Sequence, residues 1–192
     1  MYKFYNNKIK AEMTSILPGE FYASSKSEII YTILGSCISV VLFDSKLKIG
    51  GMNHFMLPGS EKNNGIFYKN QSGRYGINAM ELLINSMLKL GAMKSRFTAK
   101  VFGGSNVLQA KDKEVTSIAK KNIEFALKFL KLEKIPVLSF DTGGIKTRRI
   151  IFFTGTGKIY QQKLNKENNT DFINVQIGDF NKTQNNNSTP FK

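Results

Sequence analysis

Two β-prone runs on either side of a five-residue connection predict an antiparallel hairpin. The runs are residues 38–43 (ISVVLF) and 49–57 (IGGMNHFML), and the residues between them, DSKLK, form a connection of hairpin length. The only cysteine of the chain, Cys37, comes directly before the first run, and the only histidine, His54, lies in the second. A hairpin therefore brings two rare and reactive side chains towards each other.

The register of this hairpin decides how closely the two side chains approach. In one of several possible registers, Val41 pairs with Gly50 and Cys37 pairs with His54, on the same face of the sheet. Directly opposed residues have Cβ atoms about 4.5–5.5 Å apart. This register predicts a thiol and an imidazole close enough to share a proton.

Two helical patterns follow the hairpin, each with apolar residues at three-and-four spacing. The first runs from Gly76 to a C-terminal cap at Gly91, and the second begins at Thr116 or Ser117. Further short runs have the composition of strands, the first of them at a sheet edge: residues 21–23, 29–34, 97–102, 135–140, 148–154 and 158–164. Strands mixed with two main helices predict an α/β (α+β) sandwich with a mixed, largely antiparallel sheet.

The chain is expected to form one domain over residues 1–164. Residues 58–74, rich in Gly, Asn, Ser and Lys, predict a long surface loop beside His54. Residues 165–192 form an Asn-rich C-terminal extension with one strand-like patch, FINVQI. Its polar end cannot bury enough apolar surface to offset the entropy of ordering, so we expect about the last dozen residues to be disordered.

The composition of the chain limits the expected cellular location of the protein and the kinds of partner that it can bind. Lys and Arg outnumber Asp and Glu by 28 to 14, and the resulting net charge of +14 favours anionic partners. A single cysteine excludes an intramolecular disulfide, and the N-terminal residues have no apolar signal segment. The longest apolar run, residues 29–43, is too short and too interrupted to span a bilayer. We expect a cytoplasmic protein that does not insert into a membrane.

Cys37 and His54 together fit a cysteine nucleophile with an adjacent base. An unperturbed cysteine, with a pKa of about 8.5, is only a few per cent thiolate at pH 7, whereas a neighbouring imidazolium lowers the thiol pKa. Gly35 and Ser36, immediately before Cys37, permit a close backbone approach at which amide groups can stabilise an oxyanion. This pattern predicts nucleophilic catalysis.

Spacing alone leaves other interpretations open. The third polar group that orients the imidazole could be Thr32, Ser39 or Asn53. Cys37 could equally be a core residue, because free cysteine is among the most buried residue types, and a strand histidine is often hydrogen-bonded filler. A metal site needs at least two more ligands, and the hairpin offers only Asp44, so we expect neither a metal nor a cofactor.

Five blocks of the sequence, taken in order, resemble one known family. They are TILGSCISVVLFD, GGMNHFMLPG, RYGINAMELLIN, AKVFGGSNV and DTGGIKTRRIIFFTGTG. With these blocks the chain resembles the CheD family of chemoreceptor glutamine deamidases from residue 17 to residue 164. The segment IKTRR after Gly144 replaces a shorter Gly-Arg turn expected of the family, and the Asn-rich tail lies outside the resemblance.

The resemblance implies a cysteine hydrolase with a fold like that of bacterial toxin deamidases and the activity of a protein-glutamine glutaminase. Cys37 would attack the carboxamide carbon of a receptor glutamine, ammonia would leave, and water would release glutamate from a thioester. His54 would act as general base and then as acid. The family's third catalytic residue is a Thr shortly before the cysteine, which matches Thr32, although some members place it where this chain has Tyr31.

Two short segments are predicted to bind the substrate. One is Ser36, which directly precedes Cys37. The other is Phe102, Gly103 and Gly104, at a strand end where backbone groups can approach an incoming glutamine. The alternative interpretation of the second segment is a simple turn from strand to loop.

The resemblance also implies partners and a cellular role. The substrate would be the cytoplasmic helical bundle of methyl-accepting chemotaxis receptors, whose deamidation tunes adaptation, and many systems add a CheC-type phosphatase that binds the deamidase. A non-catalytic adaptor that binds a receptor or a phosphatase through the same surface is the main alternative. A nucleic-acid-binding module is a further one, because seven Lys and Arg lie between residues 94 and 121. The basic charge is spread over most of the chain, however, so no nucleic acid is expected.

Overall fold

A computed structural model describes residues 1–57, 71–107 and 113–164. In these ranges, two five-stranded sheets pack together and two long helices cover one of them. The elements are β1 (Tyr2–Asn6), β2 (Ala11–Ser15), β3 (Phe21–Ser24), β4 (Ile29–Leu34), β5 (Ile38–Asp44), β6 (Ile49–Asn53), α1 (Gln71–Lys89), β7 (Phe97–Gly103), α2 (Lys113–Leu132), β8 (Val137–Thr142), β9 (Thr147–Phe153) and β10 (Lys158–Leu164). The predictions for most of the 58–74 loop and for the 165–192 extension lie outside the described residues, so the domain boundary stays a prediction.

Both sheets are mixed and largely antiparallel, which confirms the predicted fold class. The first sheet has the order β1-β2-β4-β9-β10, and the second has the order β3-β6-β5-β7-β8. Only the pairs β2–β4 and β7–β8 are parallel among the described strands. β3 lies at an edge, as predicted. The sequence does not predict β1 and β2, because their apolar residues are too few to form a recognisable alternation.

Within the described ranges, buried apolar side chains form three clusters: one between the sheets, one between the second sheet and the helices, and a small one on the other face of the first sheet. The layer between the sheets contains Ile16, Ile30, Leu34, Val41, Met52, Phe102, Ile150, Phe152 and Ile159. In the helical layer, the predicted stripe of α1 is confirmed at Met80, Leu83, Ile84 and Met87, all of which are buried, and is wrong at its last member, Leu88, which is exposed. Burial of this stripe places α1 on the second sheet.

Both helices begin earlier than the sequence predicts. α1 starts at Gln71 rather than at Gly76, and α2 starts at Lys113 rather than at Thr116 or Ser117. Gly76 does not start the helix but lets it approach its neighbour, since a Cβ there would lie 2.6 Å from the Phe125 ring. Within the described ranges, neither helix has a stretch long and apolar enough to cross a bilayer.

β5 and β6 form the predicted hairpin, but the predicted register is wrong by two residues. Val41 pairs with Met52 rather than with Gly50, and beyond β6 an isolated bridge pairs Ile38 with Phe55. Because the shift is an even number of residues, every side chain stays on its predicted face of the sheet. The register changes only which residues stand directly opposite one another.

Asp44 sets this register from the turn. Its carboxylate, which is fully buried, accepts hydrogen bonds of 3.0 and 3.3 Å from the amides of Lys46 and Leu47. Arg96 donates to the same carboxylate, with Nη2 2.7 Å from Oδ2, and this hydrogen bond holds the Asp44 pKa at about 2. The side chain of Asp44 therefore closes a loop of residues 45–48 instead of 44–47, and strand pairing starts at Asp44 and Ile49.

Candidate active site

Cys37 lies where the chain passes from one sheet to the other. β4 belongs to the first sheet and ends at Leu34, and β5 belongs to the second and begins at Ile38. Cys37 is half-buried in the connection and packs against the apolar layer between the sheets. Its thiol combines partial access with apolar surroundings.

His54 follows β6 and is held by both its backbone and its ring. Its amide donates to the carbonyl of Glu20 at 2.9 Å, and its carbonyl accepts from the amide of Gly19 at 2.7 Å. Ring atom Nδ1 lies 2.8 Å from Oγ1 of Thr32, on β4. The exposed fractions of His54 and Thr32 are only 4% and 1%, so this contact is shielded from solvent. One imidazole is thus positioned by elements of both sheets.

The Thr32 hydroxyl determines which ring nitrogen of His54 carries the proton. Oγ1 lies 2.8 Å from the carbonyl oxygen of Ile16, which can only accept, so the hydroxyl donates its single proton there. Oγ1 must then accept from Nδ1, so the neutral ring is the Nδ1–H tautomer. Nε2 keeps a lone pair, is buried, and makes no hydrogen bond within the described part of the chain. A ring nitrogen of this kind is suited to act as a base.

Cys37 and His54 are diagonal neighbours, not the directly opposed pair that the sequence predicts. In the observed register, Ser39 stands opposite His54, while Met56 stands opposite Cys37. Both reactive side chains still point into the layer between the sheets. Diagonal residues lie about 7–8 Å apart. Sγ and Nε2 accordingly make no hydrogen bond with each other.

Burial keeps both reactive groups neutral. It lowers the pKa of His54 to about 4, with smaller opposing effects from the Ile16 carbonyl and the Glu20 carboxylate. It also raises the pKa of the Cys37 thiol. The expected imidazolium that lowers the thiol pKa is therefore absent from the resting protein, because desolvation disfavours both charged forms.

The pKa of His54 can be measured directly because no other histidine is present. We expect its ring NMR resonances to titrate with a midpoint near pH 4 instead of the ordinary 6.5. The unfolded chain binds this proton below about pH 6.5 and the folded protein only below about pH 4, so stability falls as the pH drops. The loss in unfolding free energy attributable to His54 should approach about 3 kcal/mol. His54→Gln should lack this contribution, and a midpoint at 6.5 or above would contradict the burial argument.

All three carbonyl groups of the connection from β4 to β5 are hydrogen-bonded. The Gly35 carbonyl accepts from the Ser105 amide at 2.8 Å, the Ser36 carbonyl from Asn122 Nδ2 at 2.9 Å, and the Cys37 carbonyl from the Gly104 amide at 2.7 Å. The amides of Ser36 and Cys37, in contrast, donate to no other residue in the described ranges. In a trans peptide the N–H points away from the preceding C=O. These two amides therefore point away from the groups that hold the carbonyls, and the Cys37 amide lies beside its own thiol.

Gly103 and Gly104, predicted to bind substrate together with Phe102, pack against the Cys37 backbone. Gly103 has a φ of +110°, and a Cβ there would lie 2.2 Å from the Cys37 carbonyl oxygen. Gly104 has a φ of +65°, and its Cβ would lie 2.5 Å from Ile123. Phe102 is fully buried in the layer between the sheets. This geometry favours a role in positioning Cys37, and contact with the substrate stays a prediction.

The remaining polar candidates differ in what they contact. The Ser36 hydroxyl lies 3.9 Å from Met56 Sδ, and its predicted substrate contact is not tested. Asn53 Oδ1 accepts from the Val40 amide at 2.9 Å, and its Nδ2 donates to a carbonyl of α1, so its amide is fully engaged in the fold. Ser39 Oγ is buried and has no partner in the described ranges. Of the three proposed third groups, only Thr32 bonds to the imidazole.

Among the described residues, no cluster of His, Cys, Asp and Glu could hold a metal ion.

Asn122 is a residue of this site that the sequence-based prediction does not include. It is fully buried in α2, and its Oδ1 accepts from the Leu57 amide at 2.8 Å. It lies four and eight residues before Ala126 and Leu130, which are buried, and so belongs to the apolar face of the helix. A polar residue on such a face needs internal partners, and that is the signal by which it could be found.

Comparison with known proteins assigns the chain to a family. A family model described as CheD chemotactic sensory transduction matches residues 56–163, more than half of the chain. This chain belongs to the CheD family. Over 174 residues it is 42% identical to "Probable chemoreceptor glutamine deamidase CheD 1" of Shewanella oneidensis, covering 89% of this chain and 82% of that one. Similar CheD relatives come from Dechloromonas aromatica, at 41% identity over 87% and 81% of the two chains, and from Herminiimonas arsenicoxydans, at 38% identity over 96% and 89%.

These CheD alignments include the candidate site. The family model begins at Met56 and so follows both Cys37 and His54. An aligned stretch that covers 89% of a 192-residue chain must, however, contain residues 37–54. The family resemblance seen in the sequence is confirmed.

Proposed function

We propose that this protein is a deamidase that converts glutamine side chains of chemoreceptors to glutamate and releases ammonia. Membership of the CheD family supports this, as do relatives whose names state that activity. The single observation that carries the proposal is the state of His54. Its Nδ1 is bonded to Thr32, and its buried, unpartnered Nε2 shares a sheet face with Cys37. That arrangement suits a base that takes a proton from a thiol.

In the proposed first step, Sγ of Cys37 attacks the carboxamide carbon of the substrate glutamine. Because both protein groups are neutral at rest, the thiol proton passes to Nε2 of His54 as the carbon–sulfur bond forms. This step requires Sγ to approach Nε2 when substrate binds, as catalytic hydrogen bonds often tighten only in the complex. The amides of Ser36 and Cys37 donate to the oxyanion that develops.

The tetrahedral intermediate then loses ammonia. The His54 imidazolium gives its proton to the amide nitrogen, the carbon–nitrogen bond breaks, and a thioester of Cys37 remains. Neutral His54 next takes a proton from water, the resulting hydroxide adds to the thioester, and Sγ leaves and recovers a proton from the imidazolium. One water is consumed for each ammonia and each glutamate formed.

Thr32 is proposed to keep His54 in the reactive tautomer, and Thr32→Val tests this. Valine has nearly the same shape but cannot accept a hydrogen bond from Nδ1. We expect kcat for deamidation to fall about 10- to 100-fold, with little change in KM. Thr14→Val, at another buried threonine of the same sheet, is the matched control and should retain activity. Equal kcat values for the two variants would contradict the role of Thr32.

The proposed substrate is the cytoplasmic helical bundle of chemoreceptors, and its modification would tune adaptation. The net charge of +14 supports an acidic protein as partner, because complementary charge speeds association. A cytoplasmic location follows from that substrate. A CheC-type phosphatase as second partner stays a prediction from the family resemblance.

The decisive experiment incubates the purified protein with the cytoplasmic fragment of a chemoreceptor from the same cell. Conversion of glutamine to glutamate is followed by peptide mass spectrometry, and released ammonia is measured in parallel. We expect equal amounts of both products, and none from protein whose only thiol has been alkylated with iodoacetamide. Receptor binding without conversion by the untreated protein would instead favour the adaptor.

A further inference from the structure

Asn122 connects the two segments that carry the candidate nucleophile and base. Its Nδ2 donates to the carbonyl of Ser36, the residue before Cys37, at 2.9 Å. Its Oδ1 accepts from the amide of Leu57, three residues after His54, at 2.8 Å. One fully buried side chain thus uses both ends of its amide on backbone groups that flank Cys37 and His54.

The bond to Ser36 fixes the direction of a single peptide group. The Ser36 carbonyl and the Cys37 amide belong to the same trans peptide and point in opposite directions. Because Asn122 holds the carbonyl towards α2, the Cys37 amide points away from α2. The amide donates to no other residue within the described part of the chain. A hydrogen bond to the carbonyl also polarises the peptide, which makes its N–H a better donor.

We propose that Asn122 is a positioning residue that orients the Cys37 amide as an oxyanion donor. The inference rests on the proposed function, in which Cys37 attacks a glutamine carboxamide. Asn122 touches neither substrate nor thiol. It acts through the Ser36–Cys37 peptide, while its second bond keeps the segment after His54 in register with that peptide.

The side-chain amide of Asn122 does more than pack α2 against the sheet. Ala119, Phe125, Ala126, Phe129 and Leu130 are buried neighbours on the same helix, so an apolar residue at position 122 would fit the helical pattern. A buried asparagine is tolerated there only because its hydrogen bonds are satisfied. Both of those bonds go to the site and none to another part of α2.

Two substitutions separate the two bonds. Asn122→Leu has nearly the same shape and removes both, whereas Asn122→Asp keeps an acceptor for the Leu57 amide and loses the donor to Ser36 only when its carboxyl is ionised. Because burial raises the pKa of a carboxyl at this position, kcat of Asn122→Asp is measured as a function of pH. Phe129→Leu, two turns along the same buried face, is the control for general loosening of α2. Each variant is assayed for kcat, KM and thermal stability, and for the rate at which iodoacetamide alkylates Cys37. Alkylation proceeds without an oxyanion and therefore reports on the thiol alone.

We expect kcat to fall about 100-fold in Asn122→Leu at every pH, and in Asn122→Asp as its carboxyl ionises, which is the usual effect of losing one oxyanion donor. In the Asn122 variants, KM and the alkylation rate should change by less than about threefold. Phe129→Leu should keep its kcat even where its thermal stability is as low as that of the Asn122 variants. Retained kcat in Asn122→Asp over the whole pH range, with loss in Asn122→Leu, would overturn the inference and assign the effect to the Leu57 bond. A parallel fall in alkylation rate would also overturn it, because the thiol itself would then have moved. If Asn122→Asp fails to fold, Asn122→Ser, which is too short to make either bond, serves as a second variant beside Asn122→Leu, and kcat retained in it would also overturn the inference.

The same experiment distinguishes this inference from the proposed function. Wild-type protein that releases no ammonia from the receptor fragment would refute the deamidase proposal before any variant is considered. Wild-type turnover that is unchanged in the Asn122 variants would refute only the role of Asn122.

Discussion

Cys37→Ala is expected to abolish deamidation of the receptor fragment. Sγ is the proposed nucleophile, and no other cysteine is present to replace it. Turnover should fall by at least about 10³-fold, to a level that peptide mass spectrometry does not detect over the assay. Cys37→Ser should be almost as inactive, because a hydroxyl gives up its proton far less readily than a thiol to a base whose pKa is about 4.

Cys37→Ala should nevertheless fold and bind the receptor normally. Cys37 is half-buried at the margin of the layer between the sheets, so loss of its sulfur should cost only about 1 kcal/mol of unfolding free energy. Thermal melting and receptor binding are therefore the controls. Conversion that persists in Cys37→Ala would refute the covalent mechanism.

Gly103→Ala should have the second largest effect, on both folding and activity. A Cβ at this position would lie 2.2 Å from the carbonyl oxygen of Cys37, and the backbone φ of +110° is strained for any residue with a side chain. Relief requires β7 to move away from β5, which displaces Cys37. We expect the free energy of unfolding, measured by urea denaturation, to fall by about 3 kcal/mol or more, together with most of the activity.

Gly143→Ala provides the matched control for this prediction. Gly143 also has a positive φ, +76°, but no atom lies within 4 Å of the position of its Cβ. Alanine there should cost only about 1 kcal/mol, the backbone strain without the collision, and leave deamidation intact. Equal losses for the two variants would show that the contact between Gly103 and Cys37 is not what makes glycine necessary.

Local sequence patterns predict most of the fold, and the features that they fail to predict have identifiable physical causes. The apolar, β-prone run at residues 29–34 predicts β4 to the residue, because a short run of this kind is typical of a strand buried on both faces. The hairpin register could not be predicted, since it depends on the carboxylate of Asp44 and its distant partner Arg96. The β1–β2 hairpin is missed because it is stabilised by its place in the sheet more than by its own composition.

The sequence predicts which residues form the candidate site, but it does not predict the protonation state of those residues. Rarity and spacing single out Cys37 and His54, but neither reveals that burial leaves both neutral. Thr32, Ser39 and Asn53 are equivalent by spacing; the family resemblance favours Thr32, and in three dimensions only Thr32 bonds to Nδ1. Asn122 is about 85 residues beyond Cys37 in the sequence and reaches the site only because α2 packs on the second sheet.

The contact between Thr32 and His54 has a consequence for control of the protein. Thr32 belongs to one sheet and His54 extends from the other, so the hydrogen bond that prepares the base spans the interface between two separately hydrogen-bonded layers. A relative slide of the layers by about 1 Å would break this bond and could cost about 100-fold in rate. A protein that binds far from Cys37 could therefore inactivate the enzyme by shifting one sheet relative to the other. Such a protein would neither cover the thiol nor compete with the receptor.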